Sequence, residues 1–172
     1  MNEGGLDVRP ARPDETGLVL VLLNEAAAWL LERGIQQWVP GQWRPERIAA
    51  SVVRGETYLM WADRAAVATV SLEWRDELMW PDGPEHAGYV HRLAVAMGEH
   101  GKDVGRTLLA WAEHEIAERP RQFARLDCVC DNSALRRYYE RAGFGHRGDR
   151  TVRGQAGPEF CGSRYEKEVG RR

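Results

Sequence analysis

Within residues 89–109 a strand, a short turn and the start of a helix follow one another, and their residue types suit an anion. The strand reads Tyr89, Val90, His91, Arg92, Leu93, Ala94, Val95, and the turn carries His100, Gly101, Lys102, Asp103, Val104, Gly105 and Arg106. The first N–H groups of a helix lack intrahelical acceptors and share the positive end of the helix dipole. A phosphate or pyrophosphate suits such a place, and glycine lets it approach the backbone. On its own the pattern is equally a tight connection. Asp103 adds a negative charge there, which Lys102 and Arg106 are placed to offset. His91 lies on the strand, and an imidazole takes up a proton near neutrality. The competing reading is a buried, hydrogen-bonded histidine. Glu73 and Asp76, at the end of a preceding strand, are rival bases.

These residues need a frame. Residues 6–9 read as a short strand, and Pro13-Asp14 opens a helix with Asp14 as its N-cap. Its apolar stripe is expected at Leu18, Leu22, Ala26, Trp29 and Leu30, and Gly34 ends it through a left-handed residue. An ordered loop is expected over 35–43, then a helix from Pro45 with Ile48 and Val52 on one face, closed by Gly55. Strands are expected at 57–62 and 65–74 with Asp63-Arg64 between them, then a loop over 82–87 and the strand 89–95. A helix over 103–117 carries Leu108, Leu109, Ala112 and Ile116 as its stripe. A strand over 125–130, a helix over 132–142 and strands at 144–150 and 161–169 follow, the last two joined by a loop over 154–159. Two strand–helix crossovers late in the chain require parallel pairing there, while earlier strands pair as hairpins. The expected architecture is α/β: a mixed, mostly antiparallel twisted sheet of six or seven strands flanked by about four helices.

The 172 residues, 43% of them apolar, fit one domain spanning 1–172. A net charge of −2 gives no electrostatic reason to expect nucleic acid or an anionic membrane as partner. No run approaches a membrane span and no leader pattern precedes Pro10, so a cytoplasmic location is expected. Cys128, Cys130 and Cys161 have neither disulfide-framework nor metal-ligand spacing; free thiols and no metal are expected.

Leu93-Ala94-Val95 followed by Gly105-Arg106-Thr107-Leu108-Leu109, then Asn132, then Tyr138-Tyr139-Glu140-Arg141-Ala142-Gly143-Phe144 resembles the GNAT superfamily of N-acyltransferases in order and spacing. About fifty-five residues carry the resemblance strongly, and the element order extends it along the chain. His100 stands where the family has Gln or Arg, and Asp103 where it has its first motif glycine.

The resemblance implies two central parallel strands that splay apart and an acyl-CoA donor, most simply acetyl-CoA. It implies that the pantetheine arm pairs with Leu93, Ala94 and Val95, that the pyrophosphate lies on 100–106, and that Asn132 bonds the pantetheine region. Asn132 is also a plausible helix N-cap, and the two roles are compatible. Tyr139 matches the family's general acid; otherwise it packs at i+4 from Leu135, a role Tyr138 can fill. A backbone N–H of the 89–95 strand polarises the thioester carbonyl. The acceptor it implies is an amine of a small molecule or peptide. Trp38, Trp43 and Trp80 fall in loops where the family builds its acceptor site, against the competing reading of core or homodimer packing. Asp76, Glu77, Asp82 and Glu85 nearby suit a cationic acceptor or form a solvated loop. A non-catalytic acyl-CoA-binding or regulatory module is the alternative function.

Overall fold

The computed structural model describes residues 5–153 and 158–169. The strands are β1 (Leu6–Pro10), β2 (Thr57–Ala62), β3 (Ala65–Glu73), β4 (Ala87–Val95), β5 (Phe123–Val129), β6 (Gly145–Arg153) and β7 (Glu159–Glu168). The helices are α1 (Thr16–Glu32), α2 (Pro45–Val53), α3 (Val104–Ala117) and α4 (Ser133–Arg141). Hydrogen bonding orders the strands β1-β2-β3-β4-β5-β7-β6, a mixed seven-stranded sheet of the expected class. The chain divides into two compact units, one running to Leu72 and including Arg92–Trp111, the other made of Glu73–His91 and the chain from Ala112 on. The loop expected over 154–159 lies outside the described residues except for its last two positions.

In the first unit β1 pairs antiparallel with β2, and β2 with β3 through the Asp63-Arg64 connection. Val19, Leu22, Leu23, Ile48, Val52, Leu59 and Ala94 form its core. The α1 stripe agrees with the expectation in part: Leu22 is buried and Ala26 packs against the core, but Leu18 is 41% exposed, and Val19, Leu23 and Ala27 complete the buried face. The sequence from Leu18 to Leu31 is apolar nearly all round, so its periodicity leaves the buried face undetermined. Asp14 is not the N-cap. It sits in a 3-10 turn, Pro13–Glu15, that precedes α1. Glu15 closes that turn instead: its buried carboxylate accepts from the Arg12 backbone N–H at 2.9 Å and pairs with Arg9 at 2.6 Å. Gly34, with φ 67°, ends α1 as expected, the Ile35 N–H returning to the Leu30 carbonyl at 3.0 Å.

In the second unit β4 and β5 are parallel, but paired only at Ala87↔Phe123, Gly88↔Ala124 and Tyr89↔Arg125. Beyond Tyr89 and Arg125 the pairing stops while β5 continues to Val129, which is the expected splay. A Cβ on Gly88 would lie 2.5 Å from Ile116, so α3 can pack on the strand only where glycine stands. The second crossover departs from expectation. β5 and β6 do not pair, because β7 lies between them, antiparallel to both. Met79, Trp80, Ala87, Tyr89 and Val152 form a core here.

Two of the three cysteines depart from the free-thiol reading: Cys130 and Cys161 form a disulfide. The antiparallel register continues from Val129↔Gly162 to this pair, and the Cys130 N–H donates to the Cys161 carbonyl at 3.0 Å. Spacing along the chain draws attention to Cys128 and Cys130; partnership across strands is invisible there. Cys128 is free and buried, and burial pushes its thiol up to about 12.

Candidate active site

In the first unit the turn after β4 is built as a series of tight steps. Ala96 donates to the Val67 carbonyl, a 3-10 turn spans Met97–Glu99, and Lys102 N–H donates to the Glu99 carbonyl at 3.3 Å. His100 packs edge-on against Trp29 at 5.0 Å, and its Nε2 lies 3.2 Å from the Val95 carbonyl. Lys102 pairs with Glu99 at 3.3 Å. Gly101 has φ 82° and Asp103 φ 58°, so α3 is entered through two left-handed residues. A side chain at such a φ is strained, and aspartate tolerates it better than most. That is why glycine would suit position 103. The Asp103 carbonyl accepts from Thr107 N–H at 2.9 Å and Thr107 Oγ1 at 3.0 Å, while its side chain stays exposed. Val104 is buried and Gly105 half-buried; Arg106 is exposed.

Arg92 also has positive φ, 51°, in the middle of β4. Its guanidinium donates to Ser71 Oγ at 3.1 Å and Ser51 Oγ at 3.4 Å, within a buried chain of Ser51, Thr57 and Ser71 hydroxyls. A left-handed residue inside a strand breaks the alternation of side chains, as a bulge does. Nothing in His91-Arg92-Leu93 signals it.

The second unit brings His91, Asp76 and Glu73 together. His91 Nε2 lies 3.4 Å from Asp76 Oδ2 and 3.9 Å from Glu73 Oε2. Asp76 is held in turn: its Oδ1 accepts from the Met79 N–H at 3.0 Å, and its carbonyl from Trp80 N–H at 2.8 Å. Burial works against the imidazolium, but Asp76, Glu73 and Asp127 outweigh it and raise the His91 pKa above its ordinary value. Asp76 itself is lowered: burial opposes its charge, and the His91 contact and the backbone N–H bonds overcome it.

Asp127, on β5 between buried Leu126 and Cys128, is a member of this cluster that the sequence reading missed. Burial raises its pKa, with His91 opposing and Asp76 assisting, and no hydrogen bond contributes. The available signal was a lone carboxylate inside an apolar strand, Ala124-Arg125-Leu126-Asp127-Cys128-Val129.

Asn132 caps α4, its Oδ1 accepting from the Leu135 N–H at 3.1 Å, as expected for an N-cap. The other end explains the Tyr-to-Phe spacing. Gly143, at φ 92°, lets Phe144 N–H return to the Tyr139 carbonyl and Gly143 N–H to the Glu140 carbonyl, both at 3.0 Å. This is a Schellman termination, and its usual apolar contact is Tyr139 against Phe144, ring centroids 6.2 Å apart. The Tyr165 ring centroid lies 6.0 Å from that of Tyr139. Tyr139 is therefore fixed and buried. Its pKa is raised, by burial first and then by Cys128 and Asp127, so it remains a protonated donor.

Trp80 is buried, with Arg125 over its ring at 4.7 Å and Arg164 at 5.2 Å. Trp38 and Trp43 meet edge to face at 5.2 Å and pack against the core of the first unit. No helix among the described residues is long and apolar enough to cross a membrane.

Comparison with known proteins agrees with this arrangement. The family model described as Acetyltransferase (GNAT) family matches residues 23–144. An uncharacterized N-acetyltransferase of Bacillus subtilis, YesJ, is 35% identical over 143 residues, covering 78% of this chain and 79% of its own. A GNAT-family acetyltransferase from Listeria monocytogenes superposes with a TM-score of 0.78 at 25% identity, over 96% of this chain and 98% of that one. YncA of Salmonella typhimurium, solved with its cofactor acetyl-CoA, shares the fold at a TM-score of 0.72 and 14% identity, covering 96% and 94%. With the splayed strands, the helix start after β4 and the Tyr139 termination all in place, this chain belongs to the GNAT family of acetyltransferases.

Proposed function

We propose that this protein transfers an acetyl group from acetyl-CoA to the primary amine of a small molecule or peptide, with His91 as base and Tyr139 as acid. The observation that carries the residue roles is the imidazole of His91 held 3.4 Å from the carboxylate of Asp76. A base oriented by a carboxylate that is itself fixed by backbone N–H groups is prepared for proton transfer. An acceptor amine enters mostly as an ammonium ion, and the acidic surroundings of His91 favour that form. His91 takes the ammonium proton, so the lone pair can attack the thioester carbonyl carbon. As the carbon–sulfur bond breaks, Tyr139 gives its proton to sulfur. The nitrogen, which bears a surplus proton after its attack, loses it to solvent, from which the tyrosinate is reprotonated. The raised pKa of Tyr139 keeps its proton available at neutral pH.

For the donor, the support comes from the start of α3 and from YncA, which was solved with acetyl-CoA. The N–H groups of 103–106 open a helix, with open space beside Gly101. Leu93, Ala94 and Val95 would pair with the pantetheine arm like an added strand, and Lys102 and Arg106 would add positive charge. Asn132 caps α4 through its carbonyl oxygen, and a contact with the pantetheine region is compatible with that role.

The test is thiol release from acetyl-CoA across a panel of primary amines. Acceptor-dependent, saturable release, reduced about a hundredfold or more in His91→Ala, is the expected result. Acetyl-CoA binding by calorimetry without release for any amine would favour a binding module. Undiminished release by His91→Ala would remove the histidine from the mechanism.

A further inference from the structure

Three carboxylates and one imidazole meet in the second unit, and proton transfer to His91 uses only part of that set. Asp76, His91 and Asp127 each offer one donor atom, and these atoms all lie within 4.8 Å of one another. They come from the turn after β3, from β4 and from β5, where the parallel pairing has just ended. Asp127 has no hydrogen bond to offset its burial. A carboxylate so placed, beside a second carboxylate and an imidazole, offers an oxygen to a cation seated among the three.

We propose that Asp76, His91 and Asp127 form a three-ligand site for a divalent cation of the zinc class, and that its occupancy blocks acetyl transfer. Ligand atoms about 2.0–2.2 Å from a tetrahedral ion lie roughly 3.3–3.6 Å apart. The His91 Nε2 to Asp76 Oδ2 separation is 3.4 Å. Ligand chemistry agrees: one imidazole with two carboxylates suits zinc, whereas magnesium and calcium favour oxygen alone. Two carboxylates also balance the dipositive charge. Asp76 is already oriented through its other oxygen, which accepts from Met79 N–H, so binding requires little rearrangement there. Three protein ligands leave one position for water. The site therefore holds an ion without enclosing it.

The blocking half rests on the proposed role of His91. A metal on Nε2 takes the place of the proton that Nε2 shares with Asp76, so the carboxylate no longer orients the base. The ion's charge lowers the basicity of Nδ1 and repels an ammonium ion. The binding half stands without that role. Accordingly the first measurement uses tag-free, chelator-treated full-length protein with no acetyl-CoA or amine present. Titration calorimetry with zinc chloride should give one saturable site, and cobalt chloride should give the visible bands of a low-coordinate ion. Asp127→Asn preserves size and should weaken zinc binding tenfold or more; Asp76→Asn, checked for an unchanged melting transition, should do the same. No saturable binding overturns the proposal. So does binding unaffected by either substitution but lost in Cys130→Ser or Cys161→Ser, which would place the ion at the reduced cysteines beside Asp149. With an acceptor from the amine panel, zinc should raise the apparent KM for amine and EDTA should restore it. Stoichiometric binding with undisturbed turnover would leave the metal site and overturn the blocking.

Discussion

The starts of α3 and α4 solve one problem in opposite ways. Each leaves N–H groups that the helix itself cannot satisfy. At α4 the protein supplies its own acceptor, Asn132 Oδ1, at 3.1 Å from Leu135 N. At α3 the residue before the helix is a left-handed aspartate whose exposed side chain does not accept from the helix, and only its carbonyl takes part, through Thr107. The first start is closed by a side chain and serves to hold Tyr139 in place. The second is open, as a helix start that receives a phosphate must be. A third, the turn leading into α1, is closed by the ion-paired Glu15. The lesson is that a helix start can be assigned to structure or to ligand by asking what already occupies its N–H groups.

The largest effect expected from this division is on Tyr139. If α4 is closed in order to hold an acid, Tyr139→Phe should reduce kcat about ten- to a thousandfold while leaving acetyl-CoA affinity nearly unchanged. The ring keeps its contacts with Tyr138, Phe144 and Tyr165, so the fold should not respond. Tyr138→Phe, one position round the helix, is the control and should cost little. Equal turnover of Tyr139→Phe and wild type at pH 7 would make α4 a purely structural helix.

Next in size is the acid sensitivity of the α1 start. Arg9 and Arg12 hold the Glu15 carboxyl down to about 2, against an ordinary 4.5. A folded-state pKa below the unfolded one gives stability that is complete above 4.5 and is lost as pH falls toward 2. Hydrogen bonds to charged groups are worth about 1.5–3 kcal/mol. Chemical denaturation at pH 7 and pH 3 should therefore show a smaller loss in Glu15→Gln, which has already given up the ion pair, than in wild type. An identical acid loss in both would mean that other carboxylates dominate. Below this comes Asn132→Ala, which should cost about 1 kcal/mol in urea denaturation, since it removes a neutral cap.

How far these places could be read from sequence differs with the kind of contact. The α3 stripe, Leu108, Leu109, Ala112 and Ile116, is buried as its spacing dictates. Gly34 and Asn132 act as their types suggest, because capping is local. The motif residues from Leu93 to Phe144 located the family for the same reason: their spacing reflects single turns and helix ends. Asp127 was not legible, because its partners lie on other strands. Neither was the Cys130–Cys161 bond, which exists only once β5 and β7 are in register. The α1 face was legible at Leu22 and not at Leu18, for a third reason. Leu18 and Val19 are equally apolar, and only packing against Ile48 and Leu59 decides between them.

The smallest effect, and the one that tests the open start most directly, is expected from Asp103→Gly. At φ 58° aspartate occupies a conformation that glycine adopts without strain. Removing the side chain relieves part of the roughly 1–2 kcal/mol left-handed penalty of an ordinary residue, and glycine's greater freedom in the unfolded chain takes part of that back. The melting transition should therefore rise slightly or stay where it is. The Thr107 bonds are made by the carbonyl of residue 103, so they survive the change. Coenzyme A should bind more tightly, because an exposed negative charge leaves the vicinity of the pyrophosphate and the backbone can be approached more closely. One exposed charge at such distance is worth about 1 kcal/mol or less, so calorimetry at low salt should show a gain of about two- to fivefold. The gain should shrink as salt is added, since its origin is electrostatic. Asp103→Asn removes the charge and keeps the Cβ, which separates the two causes: an equal gain assigns the effect to charge, a smaller one to approach. Weaker binding in both variants would mean that the Asp103 carboxylate organises the turn, and the α3 start would then be closed by its own side chain as α4 is.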